Sequence, residues 1–410
     1  MCLRGDTGGL ENYSYPNLRK LSLRTYDARD PEQEVFLELT GMFPSLTGLD
    51  IDGVKLKSPS WSTLFVHPHL KNLSLRKTVI KASSGPGFWE ACRKLESLTL
   101  DDVIIHCGAI PAGVVFDSLR TLTMTTNASG VLSTQDQLDL TLRCPNLKEL
   151  YWTGYRDVQD RVHPPFNTGG VLKGCWPHLR QVNISLFIRD KDVASLLKGI
   201  GDGRKDLVDL ELYGCFLGDQ VSKAFHRHFS TLVELNLTEC LSVNSCTIRD
   251  LLCYCPRLEV LLARSILARD VVAAGPWVCL QLRELMINFL FGESELDLQH
   301  EIFRRLSTLT LLRRLILFIP VNEPYEENCT LELRLENGLG QLSSLQQLTK
   351  LDFDGSPISG FYIPELGKEE ALWILTNWKK LESISGPLNT DPDVEQTLRD
   401  ALKLFGAQVK

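Results

Sequence analysis

The chain has 410 residues, 43% of them apolar and 23% charged, with a net charge of −7 and a pI near 5.7. That is more than one ordinary core covers, so several domains or a repeat array are expected. The acidic balance gives no global attraction to nucleic acid or to an anionic membrane, which leaves only local basic patches.

The opening stretch, MCLRGDTGGLENYSYPNL, lacks the apolar segment of a secretory signal. The most apolar later window, 260–282, is broken by Arg264, Arg269 and Asp270, so no membrane span is expected. Twelve cysteines without an export signal imply free thiols in a reducing compartment, the cytoplasm or nucleus. The sequons at Asn12, Asn72, Asn127, Asn183, Asn236 and Asn328 are accordingly read as chance.

From residue 16 a unit recurs. PNLRKLSL (16–23) returns as PSLTGLDI (44–51), PHLKNLSL (68–75), RKLESLTL (93–100), DSLRTLTM (117–124), PNLKELYW (145–152) and PHLRQVNI (177–184). KDLVDLEL (205–212), STLVELNL (230–237), PRLEVLLA (256–263), LQLRELMI (280–287) and TLLRRLIL (310–317) follow, and LTKLDF (348–353) and KKLESI (379–384) close the series. These are fourteen copies in one register, with first leucines 24 to 36 residues apart. That is the range of leucine-rich repeats. The alternating L-x-L core predicts a short strand with its leucines on one face. Stretches such as 190–200 and 246–255 read as helices. One strand and one helix cannot bury an apolar face alone, but stacked copies can. The expected fold is α/β: a leucine-rich-repeat solenoid of ribonuclease-inhibitor-like horseshoe form, with a parallel sheet on the concave side and helices on the convex side.

The domain reading is a short polar segment at 1–15, about fourteen repeats over 16–388, and a capping helix at 389–410. Asp391 can N-cap that helix, Pro392 suits its first position and Gly406 its stop. Val394, Leu398, Ala401, Leu402 and Phe405 form an apolar stripe able to cover the last repeat. Nothing equivalent precedes Leu18, Leu21 and Leu23, so the first repeat is expected to present an open strand edge.

Four cysteines fall within sixteen residues: Cys240, Cys246, Cys253 and Cys255. A zinc site needs four convergent ligands. These thiols instead recur with the repeat. Cys215 and Cys240 each lie three residues after the last strand leucine, and Cys144 and Cys255 precede the proline that starts the next strand. Cys92 and Cys175 end helices at nearby offsets. Cys144, Cys215, Cys240 and Cys255 are read as small buried residues, reduced and without metal, and Cys253, on the preceding helical turn, is the odd one.

Other motifs yield no chemistry. The glycines of KGIGDGRKD (198–206) follow a helix and precede a strand, the reverse of a phosphate loop. His67 and His69, and His226 and His228, lack a third ligand. No nucleophile elbow is present. Trp61, Trp89, Trp152, Trp176, Trp277, Trp373 and Trp378 all read as core. Inserts at 154–170 and 321–338 are candidates for binding loops or for tolerated length. No enzyme activity and no cofactor are expected.

The unit L-x-L-x-x-C, a helix, then C-P-x-L-x-x-L spans 235–261 and resembles the cysteine-containing repeats of F-box/leucine-rich-repeat proteins. WVCLQLRELMI (277–287) and LELRLENGLGQL (331–342) are similar to the large fungal families of that type. The resemblance implies the substrate-recognition part of a Skp–cullin–RING ubiquitin ligase. The F-box itself is not matched before Pro16, so contact with the Skp adaptor is implied only through an F-box upstream. The alternative from a different class is a GTPase-activating or inhibitor-type repeat regulator outside the ubiquitin system.

Residues flanking the strand leucines point away from the core. They are small and polar in the early repeats and larger later. The candidate protein-binding residues are Tyr151, Asp209, Glu211, Tyr213, Glu234, Arg264, Met286, Ile316 and Phe318. Tyr151, Tyr213, Arg264 and Phe318 are expected at steps of roughly 10 Å, from strands about 4.8 Å apart. The expected partner is a protein, with neither nucleic acid nor membrane.

Overall fold

Each L-x-L pair becomes two rungs of a buried ladder. The computed structural model describes residues 2–4, 14–24, 34–35, 42–53, 55–56, 64, 67–80, 85–106, 110–125, 134–153, 174–185, 189–201, 207–320, 331–353, 359–360, 363–404 and 408–409. The chain divides into two units, Met1–Leu207 and Val208–Lys410.

In the first unit the repeat strands are β2 (Lys20–Arg24), β4 (Gly48–Asp52), β6 (Asn72–Arg76), β8 (Ser97–Asp101), β10 (Thr121–Thr125), β11 (Glu149–Thr153) and β12 (Gln181–Ser185). Each pairs with the next in parallel, in unbroken register. One core row therefore runs Leu21, Leu49, Leu73, Leu98, Leu122, Leu150, Val182, and the other Leu23, Ile51, Leu75, Leu100, Met124, Trp152, Ile184. No member of either row is more than 4% exposed. Burying such a side chain contributes about 1.5–3 kcal/mol, so the leucine spacing supplies most of the driving force. Short parallel pairs follow the main strands: β3 (Glu34–Val35) with β5 (Lys55–Leu56), and β7 (Val79–Ile80) with β9 (Ile104–Ile105). Helices α1 (Gly85–Cys92), α2 (Thr134–Leu142) and α3 (Asp190–Gly199) lie between successive strands.

The expected open edge at the first repeat is corrected. Strand β1 (Cys2–Arg4) pairs with β2 in parallel, Cys2 opposite Ser22, so the backbone groups of β2 on that side are engaged. Composition did not show this, because the stretch is too short for an alternating pattern.

In the second unit the order is β13 (Asp209–Phe216), β14 (Glu234–Leu241), β15 (Val260–Leu267), β16 (Glu284–Leu290), β17 (Arg314–Ile316), β19 (Lys350–Asp352), β21 (Ser383–Ser385), β22 (Gln408–Val409). The core row Leu210, Leu235, Leu261, Leu285, Leu315, Leu351, Ile384 is at most 1% exposed. Strand β18 (Ile319–Pro320) leaves this sheet and pairs antiparallel with β20 (Ser359–Gly360). Helices α4 (Asp219–Phe225), α5 (Ser245–Tyr254), α6 (Ala268–Ala273), α7 (Gln299–Leu306) and α8 (Lys368–Asn377) alternate with the strands.

The last helix, α9, covers Pro392–Leu404. The Asp391 carboxylate accepts from the Asp393 and Val394 amides at 2.9 and 3.3 Å, and Leu398 and Leu402 are buried. Glu395 accepts from the Leu388 and Asn389 amides at 2.7 and 2.8 Å. Phe405 and Gly406 lie outside the described residues.

The cysteines explain a local feature of β13 and β14, which run three or four residues past the expected L-x-L. Gly214, at φ +67°, bends β13, and the register shifts around it. The bend lets Leu212 and Cys215 both face inward, although odd spacing would put them on opposite faces. Cys215 and Cys240 are fully buried, and the Cys240 thiol donates to the Leu212 carbonyl at 3.0 Å. Cys144 and Cys255 are also fully buried, and Cys144 donates to the Leu140 carbonyl at 3.1 Å. Burial pushes the Cys144, Cys240 and Cys255 thiols well above their ordinary range, and that of Cys279 up to about 12.

Trp89, Trp152, Trp176, Trp277 and Trp378 are buried. Trp373 is not fully enclosed: it is only partly buried and meets Trp378 edge-on at 5.4 Å. Trp61 lies outside the described residues.

Candidate functional site

The site is built on β13, β14 and β15, whose side chains alternate between core and open face. Asp209, Glu211 and Tyr213 alternate with the buried Leu210 and Leu212, and are themselves half-buried. Register sets Asp209 beside Glu234 and Glu211 beside Asn236. Asn236 Nδ2 donates to the Tyr213 hydroxyl at 2.8 Å, while Asn236 Oδ1 accepts from the Thr238 amide and hydroxyl at 3.1 and 2.8 Å. The phenol is therefore held in place before any partner arrives. On β15, Arg264 extends to the Cys240 carbonyl at 3.5 Å. The face thus carries three carboxylates, a fixed tyrosine and a guanidinium on rigid strands.

Tyr151 lies in the first unit, on β11, in the outward row Ser22, Asp50, Ser74, Thr99, Thr123, Tyr151, Asn183. At the start of that row a hollow of about 410 Å³ opens where Gly48 supplies no side chain. Asp50 lines it and accepts from Ser22 Oγ at 3.0 Å and Arg24 at 3.3 Å. Burial tends to raise the Asp50 pKa, but the Ser74 and Ser22 hydroxyls and the Arg24 guanidinium outweigh it and hold the carboxyl below the usual range.

Three expected contact residues are corrected. Met286, Ile316 and Phe318 are only 7%, 4% and 3% exposed, and they pack on one another with Leu262 against them. Register sets Leu262 beside Met286 and Met286 beside Ile316. Alternation does turn these side chains off the leucine core, but they form an apolar cluster of their own rather than an open surface. Next to it Arg314 is clamped between Glu284 at 2.9 Å and Asp352 at 2.6 Å, and Ser385 donates to Asp352. Burial lowers the Arg314 pKa, but the two carboxylates outweigh that and raise it. This half of the face is closed by internal contacts, and no pattern in the local sequence distinguishes it from the open half.

The histidines separate. His67 is buried and hydrogen-bonded to the Phe43 carbonyl at 2.9 Å, whereas His69 is exposed. His228 is buried, and His226 lies on Phe229, with Nε2 3.9 Å from Asp250. Among the described residues no group of three or more His, Cys, Asp or Glu is placed to hold a metal, and no helix is long and apolar enough to cross a membrane. The insert at 154–170 lies outside the described residues, as do residues 321–330 of the other.

Parallel ladders in leucine register, with helices between the strands, define both units as leucine-rich-repeat solenoid. No protein-family profile matches the chain, and a search of curated proteins finds no match. Among solved structures, an internalin (inlF) from Listeria monocytogenes is similar at 17% identity and a TM-score of 0.46, over 83% of this chain and 82% of that one. The Rad7 and Elc1 complex from yeast contains a chain similar at 14% identity and a TM-score of 0.39, over 87% of this chain and 76% of that one.

Proposed function

We propose that the chain is a protein-binding scaffold, with a partner docking on the open face of β13 to β15. The Tyr213–Asn236–Thr238 network carries this reading. A preordered tyrosine on β13 with an arginine two strands away on β15 supplies residue types favoured at interface hot spots. Asp209, Glu211 and Glu234 favour a partner that brings basic residues to this face. Tyr151, on the first unit, is proposed as a separate contact.

The further proposal is that the scaffold recruits substrates to a Skp–cullin–RING ubiquitin ligase in the cytoplasm or nucleus. It rests on the cysteine-type repeat at 235–261 and on the resemblance it carries. The thiols of Cys144, Cys240, Cys255 and Cys279, buried in the repeat core, support a reducing compartment.

Affinity purification of the protein expressed from its own locus tests the ligase reading. Skp adaptor and cullin are expected in stoichiometric amounts; their absence removes the ligase role. The docking face is tested separately by Tyr213→Ala, expected to weaken partner binding by about 1–3 kcal/mol with little loss of stability. Leu212→Ala, on the core side, should instead cost about 2–5 kcal/mol of stability.

A further inference from the structure

We propose a second binding site, on the first unit, for an extended acidic segment of a partner protein: the row of Arg19, Lys71, Arg120, Lys148 and Arg180 along the edge where the strands begin. Each of these residues immediately precedes a repeat strand. The backbone stacks them. Thr47 N donates to the Arg19 carbonyl at 2.8 Å, Lys71 N to Thr47 at 2.9 Å, Glu96 N to Lys71 at 2.7 Å, Arg120 N to Glu96 at 2.8 Å, Lys148 N to Arg120 at 2.7 Å and Arg180 N to Lys148 at 2.8 Å. At about 4.8 Å per step the row is about 29 Å long, and its last three members are consecutive cations.

All five cationic side chains are exposed. The row's one acid, Glu96, is paired with Lys71 at 2.6 Å. Arg19, Lys148 and Arg180 make no ion pair among the described residues, and the exposed His69, Lys94 and His178 lie alongside. One end of the row borders a hollow of about 390 Å³, lined by Asn17, Arg19, Ser45, Thr47, His69 and Lys71.

Neither the repeat consensus nor the overall charge accounts for the row. In the second unit the same position holds Val208, Val233, Glu259, Arg283, Arg313, Thr349 and Glu382, and Arg283 is paired with Glu259 at 3.4 Å. The chain as a whole carries −7. An extended peptide rises about 3.4 Å per residue, so nine or ten residues match the row. Single-stranded nucleic acid fits less well, because its binders add aromatic platforms for the bases. Of the aromatic residues that lead into this edge, Phe43, Phe116 and Trp176 are at most 1% exposed, and the partly buried Tyr15 is already stacked on Phe43 at 5.7 Å.

The test uses the full chain, a fluorescein-labelled deca-glutamate peptide and a labelled single-stranded oligonucleotide, with binding read by anisotropy across a salt series. Two triple variants are compared: Arg120→Ala/Lys148→Ala/Arg180→Ala, and Lys379→Ala/Lys380→Ala/Lys403→Ala, which removes equal charge from the second unit. Both remove surface side chains, and matched melting temperatures confirm folding. The first should bind the peptide about tenfold more weakly, with a shallower salt dependence, and the second should bind like the parent. Equal losses in both variants, no peptide binding by the parent, or tighter binding of the oligonucleotide than of the peptide would each overturn the proposal.

Discussion

Trp152→Leu restores the repeat consensus and should nevertheless destabilise the protein by about 3–4 kcal/mol. The indole is fully buried, and its Nε1 donates to Gln137 Oε1 at 2.6 Å; Gln137, on α2, is itself 4% exposed. Leucine leaves a void on the order of 60 Å³, which at about 24 cal/mol per Å³ costs about 1.5 kcal/mol. Removing the donor from a buried amide adds about 1–3 kcal/mol. The second contribution should shrink when Gln137→Leu is added, because the amide that lost its partner is gone. A double-mutant cycle, by urea unfolding followed by far-UV circular dichroism, should therefore show coupling of about 1 kcal/mol or more. A loss below about 1 kcal/mol for Trp152→Leu, or strict additivity in the cycle, would refute the reasoning.

Asp391→Ala should cost about 1 kcal/mol by removing the cap of α9, and an unchanged unfolding midpoint would show that the last helix does not need it. Among the cysteines with described side chains, thiol labelling of the native protein should reach the partly exposed Cys175 and Cys246 first, with Cys144, Cys240 and Cys255 reacting only on unfolding; rapid native labelling of Cys240 would contradict its burial. Asp50 has a lowered folded-state pKa, so its contribution is present above the unfolded value of about 3.9 and is lost as pH falls through the folded one. Asp50→Asn should accordingly flatten the acid limb of melting temperature against pH, and superimposable limbs would remove Asp50 from that role.

The core was legible because a period of two leaves little choice: once Leu98 faces inward, so does Leu100, and Ser97 and Thr99 face outward. The buried cysteines were legible for a different reason: Cys144, Cys215, Cys240 and Cys255 recur at fixed offsets from the repeat leucines, whatever the alternation within a strand. Three features were not. The bend at Gly214 needs a backbone angle that its neighbours do not announce. The pairing of β1 with β2 is a long-range contact of three residues without a pattern. The burial of Met286, Ile316 and Phe318 shows the limit most clearly. Alternation tells which way a side chain points, but not whether that side is covered: it turns Asp209, Glu211, Tyr213 and Arg264 off the leucine core and leaves them half-buried, and it turns Met286, Ile316 and Phe318 the same way, where they are closed off. The basic edge went unread because it lies one residue outside the alternating segment.

Docking on the open face of β13 to β15 is tested most directly by quantitative affinity purification from the cells that make the protein, comparing the parent with a folded Tyr213→Ala/Arg264→Ala variant. The expected result is selective loss of one or a few proteins from the variant, with the remaining associations unchanged. An identical set of partners, recovered in equal amounts by both, would contradict a docking role for this face.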